Sequence, residues 1–258
     1  MTTQKVKPAA IKTSWQTTVA QLIGLILAFT VVKSAIAEPY YVPSGSMEPT
    51  LLIGDELLAT KFSYGYGLSS FSIPLGVTLP RTERIFGKLP ERGDVIVFRW
   101  PGDRSQIWVK RVIGLPGDRI QMRQGRLWIN GGPVDLRRDG MGQMQTDDGV
   151  LIATARYIET LPGGLEHPIF KLEERGPLDQ TAEITVPNGS LFVMGDNRDN
   201  SADSRLSVAD GGIGLLPVDD VVGRVAGLVG SWDLATKQQP IWTWPRGLRF
   251  SRFFTPVH

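Results

Sequence analysis

The chain has no cysteine and only two histidines, and these shortages exclude several kinds of chemistry. Without cysteine there can be no disulfide, no thiolate nucleophile and no cysteine-ligated zinc or iron–sulfur site. A Ser-His-Asp triad needs a histidine that its neighbours hold rigidly. His167 lies in a stretch rich in glycine and proline, and His258 is the last residue. Neither position indicates a held imidazole, so nucleophilic chemistry should use another base, and we predict no metal and no cofactor.

The chain also lacks a large excess of either charge, with 28 lysines and arginines against 26 aspartates and glutamates. The formal net charge of +2 gives no reason to expect a nucleic-acid partner. The length of 258 residues and the hydrophobic content of 41% suit one domain with a real core, together with an anchor or an insertion. Outside the N-terminal segment, no long stretch has the 3.6-residue period of an amphipathic helix.

A mostly apolar segment begins at Thr17 and extends to Ala37, which is about 31 Å of helix and close to the thickness of a hydrocarbon core. Lysines precede it and acidic residues follow it. This asymmetry predicts a cytoplasmic N-terminus at residues 1–14, a single transmembrane helix at 15–37 and a domain outside the cytoplasm from residue 38 onward.

A cleavable signal peptide is the alternative interpretation, because Ala35-Ile36-Ala37 has the form of an A-x-A cleavage site. Cleavage there would still export the domain. We favour the uncleaved anchor because Ser46 follows Ala37 by only nine residues, which suits a membrane-bound substrate.

The rest of the chain is predicted to be mostly β: an antiparallel β-sheet catalytic core with an inserted smaller β subdomain. Short runs rich in aliphatic and β-branched residues are bounded by turn residues, and residues 64–90 are expected to form a long loop. The predicted domains are a first core part at 38–122, a variable insert at 123–182, a second core part at 183–230 and an aromatic, basic tail at 231–258. Strands are expected at 57–62, 94–100, 107–114, 182–186, 191–194 and 221–229, with an Asn-Gly hairpin at 126–134.

Ser46 and Lys110 are the main catalytic candidates. Gly45 allows close backbone approach in the run PSGSMEPT, and flanking prolines stiffen it, so the turn can present the Ser46 hydroxyl and aim an N–H at an oxyanion. Lys110 ends an apolar strand, where burial would lower its pKa from about 10.4 and let the amine take the serine proton. The alternatives are an ordinary turn and a solvent-facing lysine on an edge strand.

A polar run at 195–205 follows the apolar strand at 191–194. Its spacing does not fit an EF-hand calcium loop. We predict instead a hydrogen-bonded, ion-paired loop that supports the site. In this loop Ser201 would contact the lysine amine, and Asp203 would pair with Arg205.

Four segments, in this order, resemble the bacterial type I signal peptidases: residues 44–51, 92–98, 110–118 and 195–205. The resemblance covers residues 38 to about 225. It implies a mostly antiparallel β fold with a second, variable subdomain, and a Ser-Lys endopeptidase that removes signal peptides from exported preproteins.

The resemblance also implies roles for individual residues. Ser46 would be the nucleophile and Lys110 the general base, while the Ser44 hydroxyl and the Ser46 N–H would form the oxyanion hole. The supporting residues implied are Ser201, which would orient the lysine, the pair Asp203 and Arg205, and the pair Asp196 and Arg111.

Cleavage after small residues at positions −1 and −3 is implied as well. Large apolar walls around two shallow pockets would admit alanine and exclude bulk sterically. The implied wall residues are Tyr40, Val42, Pro43, Met47, Leu51, Leu57, Val97, Trp108 and Val109.

The implied partners are signal peptides of exported preproteins, the lipid bilayer and, in transient contact, the secretion translocon. The implied location is the inner (cytoplasmic) membrane, with the catalytic domain on its outer face. Two other functions stay open: a dedicated Ser-Lys processing protease for one substrate such as a pilin precursor, and an inactive membrane-anchored binding module.

For the tail after residue 240, a membrane-interface role and packing on the domain are both open; aromatic and arginine residues alternate there.

Overall fold

The computed structural model of the protein describes residues 15–35, 37–65, 87–146, 149–172 and 176–257. The predicted cytoplasmic segment 1–14, most of the loop predicted at 64–90, and His258 lie outside the described residues. The described elements are one α-helix, α1 (Trp15–Ala35), several short 3-10 turns and fourteen strands. The strands are β1 (Ala37–Tyr41), β2 (Asp55–Thr60), β3 (Val95–Trp100), β4 (Asp103–Gly114), β5 (Arg119–Arg123), β6 (Arg126–Ile129), β7 (Gly132–Pro133), β8 (Asp135–Gln145), β9 (Leu151–Thr160), β10 (Glu166–Lys171), β11 (Ile184–Thr185), β12 (Ser190–Met194), β13 (Leu216–Pro217) and β14 (Val221–Ser231).

Seven strands form the main sheet, in the order β1-β2-β14-β3-β4-β12-β13. Its ladders are antiparallel, and β14, the last strand of the chain, lies between β2 and β3. Strand β4 lies between β3 and β12, with Lys110 opposite Ile96 and Val112 opposite Val193. Lys110 therefore lies inside the sheet and not on an edge strand.

The centre of the main sheet is covered on both faces, as the composition of β3 requires. Successive side chains of a strand point to opposite faces, and Val95, Ile96, Val97 and Phe98 are all buried. Val95 and Val97 join one hydrophobic cluster, while Ile96 and Phe98 join another. Burial of each such side chain stabilises the fold by about 1.5–3 kcal/mol.

Two smaller sheets, with strand orders β11-β5-β6-β7 and β10-β9-β8, are formed by residues 119–185. In the Asn-Gly hairpin, Asn130 has φ 54° and Gly131 has φ 82°, and Ile129 pairs with Gly132. Positive φ at both turn residues is what a type I′ hairpin demands. The predicted fold class, mostly β with antiparallel sheets, is confirmed; the boundaries 123–182 for the insert stay a prediction.

Helix α1 occupies the segment for which a membrane anchor was predicted. In the part of the chain that the structure describes, no helix meets the length and apolarity needed to span a bilayer. The transmembrane helix predicted at 15–37 is therefore not confirmed.

The residues after β14 pack against the main sheet. Arg252 forms an ion pair with the buried Asp55 at 2.6 Å, and Arg249 donates to the Ile53 carbonyl at 3.0 Å. Val257 joins the hydrophobic cluster on one face of the sheet. These contacts support the packed interpretation of the tail. Its surface still exposes large apolar side chains, namely Ile241, Trp242, Phe250 and Phe254.

Candidate active site

Ser46 lies in a short 3-10 turn, Gly45–Met47, that follows β1. The buried Asn197 holds this turn from behind: its side-chain amide donates to the Gly45 carbonyl at 3.0 Å, and its backbone N–H donates to the Ser46 carbonyl at 3.1 Å. Ser44 is exposed, and its hydroxyl oxygen lies 3.4 Å from that of Ser46. The turn thus presents two hydroxyl groups to one side.

Lys110 reaches this turn from β4. Its Nζ lies 2.8 Å from the Ser46 Oγ and 3.1 Å from the Val109 carbonyl oxygen, and its side chain is buried. Nζ also lies 5.5 Å from the centre of the Trp108 ring. Burial lowers the pKa of Lys110 to about 8, although the carboxylates of Asp203 and Asp196 oppose this shift. A substantial fraction of the amine is therefore neutral near pH 8.

Gly195 permits the polar loop 195–205 to pass close behind the nucleophile turn. A side-chain carbon at Gly195 would lie 2.4 Å from the Ser46 carbonyl oxygen and 2.3 Å from the Ser201 Oγ, which is impossible without displacement. Ser201 is buried beside this contact. Within the described residues, its hydroxyl has no hydrogen-bond partner, so the contact expected with Lys110 is not a hydrogen bond here.

Two buried ion pairs flank the lysine. Arg205 donates to both oxygens of Asp203, each at 2.8 Å, and Arg111 donates to both oxygens of Asp196, at 2.9 and 2.8 Å. Burial opposes ionisation of both carboxyl groups. The paired guanidinium groups outweigh it, so the pKa of each aspartate is lowered. Both carboxylates are therefore charged at neutral pH.

An open cleft of about 560 Å³ adjoins the serine and the lysine. Six of the predicted pocket residues line it: Tyr40, Val42, Pro43, Met47, Trp108 and Val109. The lining also includes Ser44, Ser46 and Lys110, so hydroxyl groups, amine and apolar walls share one cavity.

Leu51, Leu57 and Val97, three further predicted pocket residues, do not line this cleft. They are fully buried in the hydrophobic cluster behind it. Leu57 pairs with Tyr40 and Val97 pairs with Val109, so both share a sheet face with lining residues and lie in the cluster against which Tyr40 and Val109 pack. These residues support the wall from behind. The lining residues that the sequence did not indicate are Tyr41, Gly45, Gln106, Ile107, Asn200 and Ala202.

His167 differs from its expected setting. It is not in a loose turn but in β10, buried, with Nε2 3.5 Å from the Glu159 Oε2 and 3.8 Å from the Asp196 Oδ1. The glycine-rich turn ends before Glu166, and the residues after it pair with β9. Burial lowers the pKa of His167 to about 4. His167 does not line the cleft, so the lysine remains the base nearest Ser46 among the described residues.

Two buried polar residues near the nucleophile turn were missed by the sequence analysis. Glu48 accepts a hydrogen bond from the Gln145 N–H at 3.0 Å, and Asn197 makes the contacts given above. Its place within the run PSGSMEPT was the only signal for Glu48, and Asn197 gave none beyond its place in the polar loop. Among the residues that the structure describes, no three metal-ligating side chains come close enough to hold an ion.

A serine hydroxyl held by a buried lysine amine beside an open cleft has the chemistry of a serine hydrolase with a lysine base. Residues 14–229 match the family described as signal peptidase, peptidase S26. The chain belongs to this family.

Relatives named signal peptidase I align with most of this chain. It is 35% identical to a signal peptidase I of Rickettsia typhi, over 93% of this chain and 92% of that protein. It is 37% identical to a signal peptidase I of Pseudomonas aeruginosa, over 78% of this chain and 68% of that protein. A crystal structure of a signal peptidase I from Enterococcus faecalis is 28% identical, with a TM-score of 0.31, and covers 54% of this chain and 97% of that one.

Proposed function

We propose that this protein is a membrane-bound serine endopeptidase that removes signal peptides from exported preproteins by a Ser-Lys dyad. The observation that carries the proposal is the 2.8 Å contact between the Lys110 Nζ and the Ser46 Oγ beside the cleft. Its relatives named signal peptidase I support the substrate class.

In the proposed mechanism, neutral Lys110 takes the Ser46 proton as Oγ attacks the scissile carbonyl carbon. The tetrahedral oxyanion would accept hydrogen bonds from the Ser46 N–H and the Ser44 hydroxyl. As the C–N bond breaks, the Lys110 ammonium returns its proton to the leaving amine. A water molecule, deprotonated by the same amine, then hydrolyses the acyl-enzyme and restores both groups.

The neighbouring residues have supporting roles in this proposal. Ser201, which lies with the Ser46 carbonyl against Gly195, would orient the lysine, and Asp203 with Arg205 fixes the loop that carries Ser201. Asp196 and Arg111 fix the start of that loop against β4. None of these pairs would touch the scissile bond.

The cleft suits short side chains at the −1 and −3 positions of the substrate. Val42 and Val109 are close to the dyad, and Trp108 stacks on Trp100 at 5.1 Å between ring centres, which makes this wall rigid. Rigid apolar walls reject bulk sterically and accept alanine. Cleavage after A-x-A sequences is therefore the expected specificity.

Membrane attachment by α1 and an active site on the outer face are part of the same proposal. The lysines before α1 and the acidic residues after it favour this orientation. Ser46 follows the end of the helix by only eleven residues, which would keep the nucleophile near the bilayer and near substrates leaving the translocon.

The test uses the full chain in detergent with a purified preprotein, and the product N-terminus is sequenced. We expect the wild type to cut after an A-x-A site, and we expect Ser46→Ala and Lys110→Met to be inactive while folded. Activity in Lys110→Met would remove the lysine as base. Failure of the wild type to cut this preprotein would favour a dedicated processing protease if a pilin precursor is cut, and an inactive binding module if it is not.

A further inference from the structure

A buried charge cluster connects the sheet β10-β9-β8 to the polar loop 195–205. Glu159, on β9, accepts a hydrogen bond from the Arg198 Nη1 at 2.7 Å on one oxygen and a second from the Arg198 Nη2 on the other. Both side chains are only 2% exposed. A bidentate pair of this kind fixes direction as well as distance.

Backbone hydrogen bonds repeat the same connection. The Phe170 N–H on β10 donates to the Asp196 carbonyl at 2.9 Å, and the Arg198 N–H donates to the Phe170 carbonyl at 3.0 Å. The residue between these two bonds is Asn197, whose amide and N–H hold the Gly45 and Ser46 carbonyls. An uninterrupted set of contacts thus runs from the smaller sheet to the nucleophile turn.

His167 lies between this ion pair and the next one. Its Nε2 faces Glu159 from β9 and Asp196 from the loop, and the guanidinium groups facing it are those of Arg198 from the loop and Arg111 from β4. Two carboxylates and two guanidinium groups balance only when the imidazole is neutral. Burial and these cations keep it so, because they lower its pKa to about 4.

Stability alone does not account for this cluster. A buried ion pair is often no more stabilising than a well-packed apolar pair of the same volume, because desolvation of both charges is costly. What a bidentate pair adds is fixed geometry. Here that geometry orients the segment that carries Asp196, Asn197 and Ser201 relative to Lys110.

We propose that Glu159 is a positioning residue for peptide-bond cleavage: through Arg198 it sets the position of loop 195–205 against the Ser46 turn and Lys110. Glu159 touches neither substrate nor reacting atoms. This inference rests on the proposed function, since it assigns the smaller sheet a part in the same reaction.

The proposal has a specific electrostatic consequence. The carboxylates of Asp196 and Asp203 both act on Lys110 and oppose the effect of its burial. A loop that is released from Glu159 would change the distances from both carboxylates to the amine. The midpoint of the pH–rate profile would then move, which a purely structural role of Glu159 would not cause in the folded enzyme.

The test is a double variant, Glu159→Met with Arg198→Met, which removes both charges and keeps similar volume. The matched control is Asp139→Leu with Arg156→Met, a partly exposed pair at 3.2 Å on the same sheet. For each full-length enzyme, kcat, KM, the pH midpoint of kcat/KM and the melting temperature are measured on a preprotein. Cleavage by the wild type, and its loss in Ser46→Ala, are measured first and test the proposed function. A failure of the positioning role of Glu159 can then be distinguished from a failure of the proposed function.

We expect the double variant to lose at least about 10-fold in kcat with KM within about 3-fold, because small misplacements of a catalytic group are costly. Its pH midpoint should move by about half a unit or more, while the control stays like the wild type. A folded double variant with wild-type kcat and midpoint would overturn the proposal. If the double variant does not fold, Glu159→Asp, which keeps the charge but shortens the reach, should lower kcat by at least about 3-fold; an unchanged kcat there would overturn it equally.

Discussion

The dependence of activity on pH is the sharpest consequence of the buried lysine. With a pKa of about 8 for Lys110, the neutral fraction of the amine is about 9% at pH 7 and about 91% at pH 9. Activity limited by this fraction should therefore rise about 10-fold over these two pH units and then level off. With the ordinary lysine pKa of about 10.4, it would rise about 100-fold over the same interval without levelling off.

The assay follows kcat/KM for a peptide with an A-x-A site between pH 6 and pH 10, using the full chain in detergent. The free-enzyme profile reports the pKa of the essential base. We expect a midpoint near pH 8 in the wild type and in Lys88→Met, which changes an exposed lysine far from Ser46 in sequence. Residual activity in Lys110→Met should lack the rising limb.

A profile that rises about tenfold between pH 8 and pH 9 and is still rising at pH 10 would refute this reasoning, because burial would then not lower the pKa of Lys110 as proposed. A midpoint near pH 6 would equally point to another base. Such a base would have to titrate near neutrality, and one buried group close to Ser46 in sequence that does so is Glu48, whose pKa burial raises to about 7.

Two further predictions concern the cleft and the nucleophile turn. Val42→Ala should widen the cleft and relax the choice of −1 and −3 residues, with an increase in kcat/KM for bulkier residues of about 10-fold for one or two methylene groups; unchanged preference across a peptide panel would count against it. For Glu48, the folded-state pKa of about 7 exceeds the usual 4.5, so its contribution to stability is present below pH 4.5 and is lost as pH rises to 7, by about 3 kcal/mol at most. Glu48→Gln should remove this decline in urea unfolding at pH 5 and pH 8, and a wild-type decline in the variant would contradict it.

Local sequence patterns predicted those features that depend on neighbours along the chain. The run of aliphatic and β-branched residues in β3 indicated a strand, because a strand that is buried on both faces has apolar residues at consecutive positions. The hairpin at Asn130 and Gly131 followed from the backbone conformations that these residues tolerate. The resemblance to the signal peptidases pointed to Ser46 and Lys110, and the structure brings their functional groups within 2.8 Å.

Contacts between distant segments could not be predicted from local patterns. His167 follows a glycine-rich turn, so the local sequence did not indicate a held imidazole, whereas pairing of β10 with β9 buries it. Glu159 and Arg198 are 39 residues apart in the chain, and neither has a local signal for the other. Leu57 and Val97 were assigned to the cleft by resemblance alone, and the structure places them in the core cluster against which the lining residues Tyr40 and Val109 pack.

The surroundings of Lys110 combine two features with opposite effects on its pKa, namely burial of the amine and an enclosing loop that carries carboxylates. Burial lowers the pKa of the amine, but the loop that encloses it brings Asp203 and Asp196, whose charges raise it. Each carboxylate is itself bound by a guanidinium group through two hydrogen bonds. The charge of Arg205 lowers the pKa of Lys110 and offsets part of the effect of the carboxylates. Burial therefore prevails, and the pKa falls to about 8 rather than rising. The arginine partners thus let two carboxylates form part of a rigid enclosure around the amine without raising its pKa above the usual value. Lys110 can therefore lose its own proton and accept the proton of Ser46.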